Sequence, residues 1–269
     1  MKRLILCTIC WLWILSGCMT PASPRPEPPL PEAVGVTALS KPLLTPTPLP
    51  TVEPDERVLE SGLRWRECRV PSLDWREGEA CLGYSRSALV ESGTAGTGTE
   101  NGGLLLRVDG VAGDIVYETR VWERFGLLSA SLYENGHRMH TFFDRASGFP
   151  PGLSLQLVDG KVAWAFAGER VQTIAFDGRD LRARHHLDSA YAPYELGGKL
   201  AFVGERDGTS FLVYDGDRTG PLFDRIVTAH CCEIGLYAPL GDGERYVFWG
   251  EQEGSFWVVE VTPAGHAGP

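Results

Sequence analysis

The sequence predicts an all-β domain of the β-propeller-like class, and three observations support this fold class. Short apolar strands alternate with Asp-Gly, Asn-Gly or Glu-Gly pairs, which accept the positive φ angles of two-residue hairpin turns. The sequence has no apolar stripe of helical period and length. Lys161–Trp164 and Ala175–Gly178 recur 38 residues later as Lys199–Phe202 and Val213–Gly216. A strand-and-turn repeat of about 40 residues is typical of propeller blades.

The repeat is uneven, which limits what it says about the number of blades. Phe202 and Phe248 are 46 residues apart, whereas Gly136 and Gly160 are only 24 residues apart. We therefore expect four or five irregular blades, some of them incomplete. A β-sandwich is the alternative, because two packed sheets would give the same alternation of strands and turns but not the 38-residue repeat.

The start of the chain predicts export and lipid attachment. Lys2 and Arg3 precede an apolar run of about 12 residues, which is too short to span a bilayer and is typical of a secretory signal peptide. The next four residues, Leu15-Ser16-Gly17-Cys18, resemble the lipobox of bacterial lipoproteins. This resemblance implies a signal peptide over residues 1–17, cleavage before Cys18, and acylation of Cys18 by fatty acids such as palmitate. Two or three acyl chains would anchor the protein stably to a membrane.

A proline-rich segment follows the lipidation site. Of the 19 prolines in the chain, 11 lie between Met19 and Pro54. Such a composition cannot form a core and favours an extended polyproline II conformation. We expect residues 18–54 to be a disordered tether, residues 55–262 to form the propeller-like domain, and residues 263–269 to be a disordered tail.

The net charge of −10 argues against nucleic-acid binding. An acidic chain is repelled by phosphate backbones, and no cluster of Lys and Arg in the sequence is dense enough to offset that repulsion.

Four cysteines follow the lipidation site, namely Cys68, Cys81, Cys231 and Cys232. An exported protein meets oxidising conditions, so these residues are disulfide candidates with three possible pairings. Cys68 and Cys81 flank a short segment that we expect to fold back as a hairpin. A bond between the adjacent Cys231 and Cys232 would be strained, so one of them is a candidate partner for a cysteine near the amino-terminal strands.

Metal and catalytic motifs are not recognisable. On an extended strand only residues i and i+2 share a face, so neither His137 with His140 nor His185 with His186 converges. His230 and Cys232 do share a face, but a zinc site needs at least three such ligands. We therefore expect no metal, no cofactor and no catalytic residue, and the sequence does not identify the ligand-binding residues.

Three segments carry a resemblance to a known class, namely Gly198–Val203, the turn Val213–Gly216, and Phe223–Ile226. They resemble the WD-repeat-like β-propellers of bacterial exported proteins, the class that includes the translocation protein TolB. The resemblance covers Leu157–Val261 and implies a rigid, repeat-built scaffold.

Together these features predict a lipid-anchored protein on the extracytoplasmic face of the cell membrane. The function expected of it is non-enzymatic binding or assembly, with an envelope protein, peptide or glycan as partner. The alternative is a surface glycan hydrolase, since propellers host that chemistry and tryptophans can stack on sugars. Fold class alone does not decide between them, because function resides in sites grafted onto a fold.

Overall fold

The computed structural model describes residues 53–85, 97–100, 103–108, 114–147, 151–228 and 238–265, and within them the fold is all-β. The strands form four antiparallel sheets, and two short helices accompany them. Neither helix in the described ranges is long and apolar enough to cross a membrane. Residues 1–52, which include Cys18 and nearly all of the tether, and the pair Cys231 and Cys232 lie outside these ranges.

The first three sheets are built from strands that follow one another in the chain. The first sheet has five strands in sequence order: β3 Thr97–Glu100, β4 Gly103–Val108, β5 Ile115–Arg124, β6 Leu127–Glu134 and β7 His137–Arg145. The second has four: β8 Gly152–Val158, β9 Lys161–Ala167, β10 Gln172–Phe176 and β11 Arg179–Asp180, followed by helix α2 Leu181–Arg184. The third also has four: β12 Ser189–Leu196, β13 Lys199–Arg206, β14 Thr209–Tyr214 and β15 Asp217–Phe223.

The fourth sheet combines both ends of the described chain. From the carboxyl end come β16 Arg225–Ile226, β17 Leu240–Gly241, β18 Tyr246–Gln252 and β19 Ser255–Pro263; from the amino end come β1 Asp55–Val58 and β2 Leu63–Val70. Strand β2 pairs with β19 along its whole length, from Leu63 opposite Pro263 to Val70 opposite Phe256. The last sheet therefore cannot be completed until the first strands have joined it.

The sheets pack face to face in chain order. Leu132 and Phe142 of the first sheet pack with Trp164 and Phe166 of the second. Equivalent apolar clusters join the second sheet to the third and the third to the fourth. None of the core clusters in the described ranges joins the fourth sheet to the first.

The 38-residue repeat corresponds to equivalent positions in two neighbouring sheets. Strands β9 and β13 are each the second strand of their sheet, and each begins with a lysine. Lys161 forms an ion pair with Asp177 at 3.2 Å, and Lys199 forms the matching ion pair with Asp215. These pairs are exposed, so they contribute little stability, but they show that the repeat extends to side-chain contacts.

The hairpin expected between Cys68 and Cys81 is wrong, because a helix occupies this segment. Helix α1 spans Trp75–Leu82 and begins at Asp74, whose side chain accepts a hydrogen bond from the Arg76 amide at 3.0 Å. It ends at Gly83, which has a φ of 71°. An N-cap aspartate and a left-handed glycine are ordinary helix boundaries, but their signal is weak over only eight residues.

Helix α1 covers the face of the fourth sheet that points away from the third sheet. Leu82 and Tyr84 pack against Val247, Trp249 and Val258 in one apolar cluster. A disulfide between Cys68 of β2 and Cys81 of α1 fixes the helix there, with the two Cα atoms 6.4 Å apart. The pairing of Cys68 with Cys81, one of the open possibilities, is thus the one the structure contains.

We expect the double variant Cys68→Ser, Cys81→Ser to lower the free energy of unfolding by about 3 kcal/mol, because the disulfide closes a loop of 13 residues in the unfolded chain. Urea titration of the full-length chain, followed by tryptophan fluorescence, measures this change. A reductant should lower the stability of the wild type more than that of the double variant. Equal stability of the two proteins would contradict a stabilising role for the bond.

Candidate functional site

The first sheet carries an exposed apolar surface on the side away from the second sheet. Among its large side chains, Phe125 is 90% exposed, Phe143 70%, Leu127 65% and Trp122 62%. Arg124 and Arg145 lie beside them and are also exposed. We call these six residues the aromatic–arginine face.

Alternation along strand β7 explains why these side chains point outwards. Phe142 and Asp144 are buried against the second sheet, so Phe143 and Arg145 lie on the opposite side. The Asp144 carboxylate accepts hydrogen bonds from the backbone amides of Arg145, Arg170 and Val171 at 2.7 to 3.1 Å. Burial raises the pKa of Asp144, but these three amide bonds outweigh that effect and hold its pKa below the ordinary value. Asp144 therefore fixes the orientation of β7 relative to the second sheet.

Strand register arranges the face in rows. Trp122 of β5 and Phe143 of β7 both pair with Ser129 of β6, which places the two rings on either side of a small hydroxyl. At the usual strand spacing their Cα atoms are about 10 Å apart. In the next row Arg124 and Arg145 flank Leu127 in the same way. The face thus has a small residue, Ser129, between two aromatic rings, and an apolar residue, Leu127, between two arginines.

Phe125 occupies a backbone position that disfavours it. It is the first residue of the β5–β6 turn and has a φ of 54°, followed by Gly126 with a φ of 74°. Left-handed backbone costs a residue other than glycine roughly 1–2 kcal/mol, and asparagine or aspartate tolerates it best. The other two-residue hairpin turns in the described ranges place Asn135, Asp159, Asp177, Gly197, Asp207, Asp215 or Glu253 at this position. The Phe125 ring is almost fully exposed, and the Arg124 guanidinium lies 4.9 Å from its centroid. A cation–π pair at an exposed site contributes about 0.5–1 kcal/mol, which offsets only part of the backbone cost.

The face is positively charged within an acidic protein. Beside Arg124 and Arg145, two more arginines lie on the same side of the sheet: Arg120, and Arg138, which pairs with Tyr133. Among the side chains described on this side, the acid is Glu118, and its carboxylate accepts hydrogen bonds from the Arg120 guanidinium at 2.7 and 2.9 Å. That hydrogen bonding lowers the pKa of Glu118, which keeps it ionised and paired.

A cavity of about 360 Å³ lies elsewhere, between the second and third sheets. Phe176, Leu181 and Phe202 contribute its apolar lining, and His185 and Arg184 lie at its edge with the two repeat lysines. Burial, together with the neighbouring Arg184 and Arg206, lowers the pKa of His185, so its imidazole is neutral near pH 7. Two carboxylates, Asp159 and Asp215, also line it, but Asp215 is in the ion pair with Lys199.

His140 couples the packing of the first and second sheets to pH. Its ring lies 4.5 Å from that of Phe142 and 6.3 Å from that of Trp164, measured between centroids. Burial lowers its pKa, and Asp180 opposes this only in part. A histidine whose folded pKa lies below its unfolded value binds protons more weakly when folded, so the protein loses stability as the pH falls from about 6.5 towards the folded pKa.

We expect His140→Gln to reduce the loss of stability between about pH 7.5 and about pH 5, because the variant has no imidazole to protonate at this position. Urea unfolding at the two pH values gives the loss for each protein. His137→Gln, which removes an exposed histidine from the same strand, is the matched control. An equal loss in the wild type and His140→Gln would contradict this explanation.

The sequence-predicted site residues fall into two groups. Cys68 and Cys81 are bonded to each other, whereas Cys18, Cys231 and Cys232 lie outside the described ranges, where their lipidation and pairing stay predictions. Sequence reasoning missed the aromatic–arginine face. The sequence feature that could have revealed this face is the pair Phe125-Gly126. In the described ranges, the other two-residue hairpin turns begin with Asn, Asp, Glu or Gly, whereas this turn begins with an aromatic residue.

Comparison with known proteins does not place the chain in a family. No family model matches it, and no curated protein matches it either.

Proposed function

We propose that this chain is a bacterial lipoprotein on the extracytoplasmic face of the cell membrane and that it acts as a non-enzymatic binding module. Cys18 holds it to the membrane, residues 18–54 give it reach, and the domain presents the aromatic–arginine face to an envelope partner. The lipobox-like sequence supports the anchor, and the geometry of the face supports the binding role.

Phe125 is the observation that carries the proposal. Its backbone strain and 90% exposure are costs to the free protein, and strained residues of this kind cluster at binding and switch sites. Large exposed apolar patches ringed by polar residues mark interaction surfaces in soluble domains. A partner that covers Phe125, Trp122 and Phe143 would repay both costs.

We further propose that the scaffold is a four-bladed, propeller-like stack. In its support, each sheet packs on the next, and the last sheet takes its outer strands from the amino end of the chain. Propellers use the same joining of first and last strands to protect sheet edges.

Binding is favoured over glycan hydrolysis by what lines the cavity. Glycoside cleavage needs two carboxylates on opposite sides of the scissile bond, one of them free to act as an acid. Of the two carboxylates that line the cavity, Asp215 is ion-paired with Lys199, which leaves Asp159 without a second unpaired carboxylate in the lining.

The anchor is tested by replacing its lipidation site. We expect Cys18→Ser to abolish incorporation of a labelled fatty acid and to release the protein from the membrane fraction, because serine has no thiol to acylate. Cys7→Ser, which removes a cysteine from the signal region only, should label normally. Label that persists on Cys18→Ser would overturn the assignment.

The binding role is tested by photo-cross-linking. A benzophenone side chain at Ser129, between Trp122 and Phe143, should cross-link to a partner in the native cells, whereas one at the exposed Arg179 of the second sheet should not. We expect Phe125→Asn to reduce the adduct about tenfold. It should also raise the stability of the free protein by about 1 kcal/mol, because asparagine tolerates left-handed backbone.

Phe143→Asn is the matched control for that stability gain, because it removes another largely exposed ring from ordinary strand backbone. It should weaken the adduct without stabilising the fold. An adduct at Ser129 that is unchanged in both variants, or no adduct at all, would overturn the proposed role of the face.

A further inference from the structure

Building on the proposed binding function, we infer that the aromatic–arginine face takes an acidic polypeptide segment, in which an apolar side chain is flanked by aspartate or glutamate. The binding role alone leaves the chemistry of the partner open. The charge of the face, its composition and the arrangement of its side chains in rows favour an acidic segment.

The charge of the face is opposite to that of the chain. Arg124 and Arg145 of the face lie on the same side of the sheet as Arg120 and Arg138, and among the side chains that the structure describes there the acid is Glu118. These described groups carry a net charge of +3 on a protein whose net charge is −10. Complementary potentials guide association and suppress wrong partners. A basic patch on an acidic protein therefore selects an acidic partner.

The composition favours a polypeptide as that partner. Interfaces between proteins are enriched in aromatic residues and arginine and depleted of lysine, and the residues that dominate binding energy are most often Trp, Tyr and Arg. Strands β5 to β7, which form the face, contain no lysine but include Trp122, Phe143 and four outward arginines. A surface built for anionic lipid would carry lysine as readily as arginine.

A second copy of this chain does not fit the face by self-pairing. In a two-fold dimer the same patch meets itself, so a charge of +3 would oppose a charge of +3. Close like charges across an interface cost several kcal/mol. Association of two copies of this chain through this face is therefore disfavoured.

The rows of the face match the proposed segment. The small Ser129 lies between the rings of Trp122 and Phe143, which leaves room for one apolar side chain. One row along the strands, Arg124 and Arg145 flank Leu127. Guanidinium groups bind carboxylates through two parallel hydrogen bonds, so acids next to the apolar residue reach both arginines.

The test uses the full-length lipoprotein in phosphatidylcholine nanodiscs and a random copolymer of glutamate and tyrosine as the probe. We expect saturable binding that weakens at least about tenfold in the double variant Arg124→Glu, Arg145→Glu. The binding should also weaken as sodium chloride rises from about 50 mM to about 500 mM. Arg179→Glu, a charge reversal on the second sheet, should bind within about twofold of wild type, since it lies outside the face.

Three further probes test whether the face binds another class of partner instead. A copolymer of lysine and tyrosine, vesicles containing phosphatidylglycerol, and the acidic polysaccharide alginate represent a basic polypeptide, an anionic membrane and an acidic glycan. The inference is overturned if any of these binds through the face more tightly than the glutamate–tyrosine copolymer, or if that copolymer does not bind or ignores the arginine reversal. The Ser129 adduct separates this failure from that of the proposed function, because an adduct to a basic or neutral partner would retain binding and reject only the acidic class.

Discussion

Eight residue pairs between β2 and β19 join the two ends of the described domain into one sheet. The alternate side chains of this pairing serve both faces of that sheet. Trp65 points towards the third sheet and packs with Phe223 and Phe248, whereas Cys68 points the other way and carries the disulfide to α1. Both ends of the described domain are thereby held in one sheet.

The outer sides of the fourth and first sheets differ in how they are covered. Helix α1 covers the free side of the fourth sheet, held by one disulfide and one apolar cluster. The free side of the first sheet exposes Trp122, Phe125 and Phe143. Terminal units of stacked architectures need a polar or capped outer face for solubility. The arginines beside the three rings supply that polarity, and they are the basis of the acidic partner proposed for this face.

Much of the fold followed from local chemistry, and part of the site did not. Asp-Gly and Asn-Gly turns marked hairpins such as Asn135-Gly136 correctly, because positive φ restricts the residue types at those positions. Helix α1 was not predicted from the sequence, because eight residues are too few for a helical period to be recognised. The Cys68–Cys81 pairing was one of three that the sequence allowed, and spatial proximity of β2 to α1 selected it.

The sequence by itself determined the all-β class, the positions of the turns and the 38-residue repeat, since each depends on residues that are near in the chain. Only the tertiary structure decided which side of strands β5 to β7 is covered. Both sides carry large apolar groups, with Tyr117 and Val121 on one and Trp122 on the other. Alternation separates the two sides but cannot say which one a neighbouring sheet will bury, because that choice depends on the packing of residues far apart in sequence.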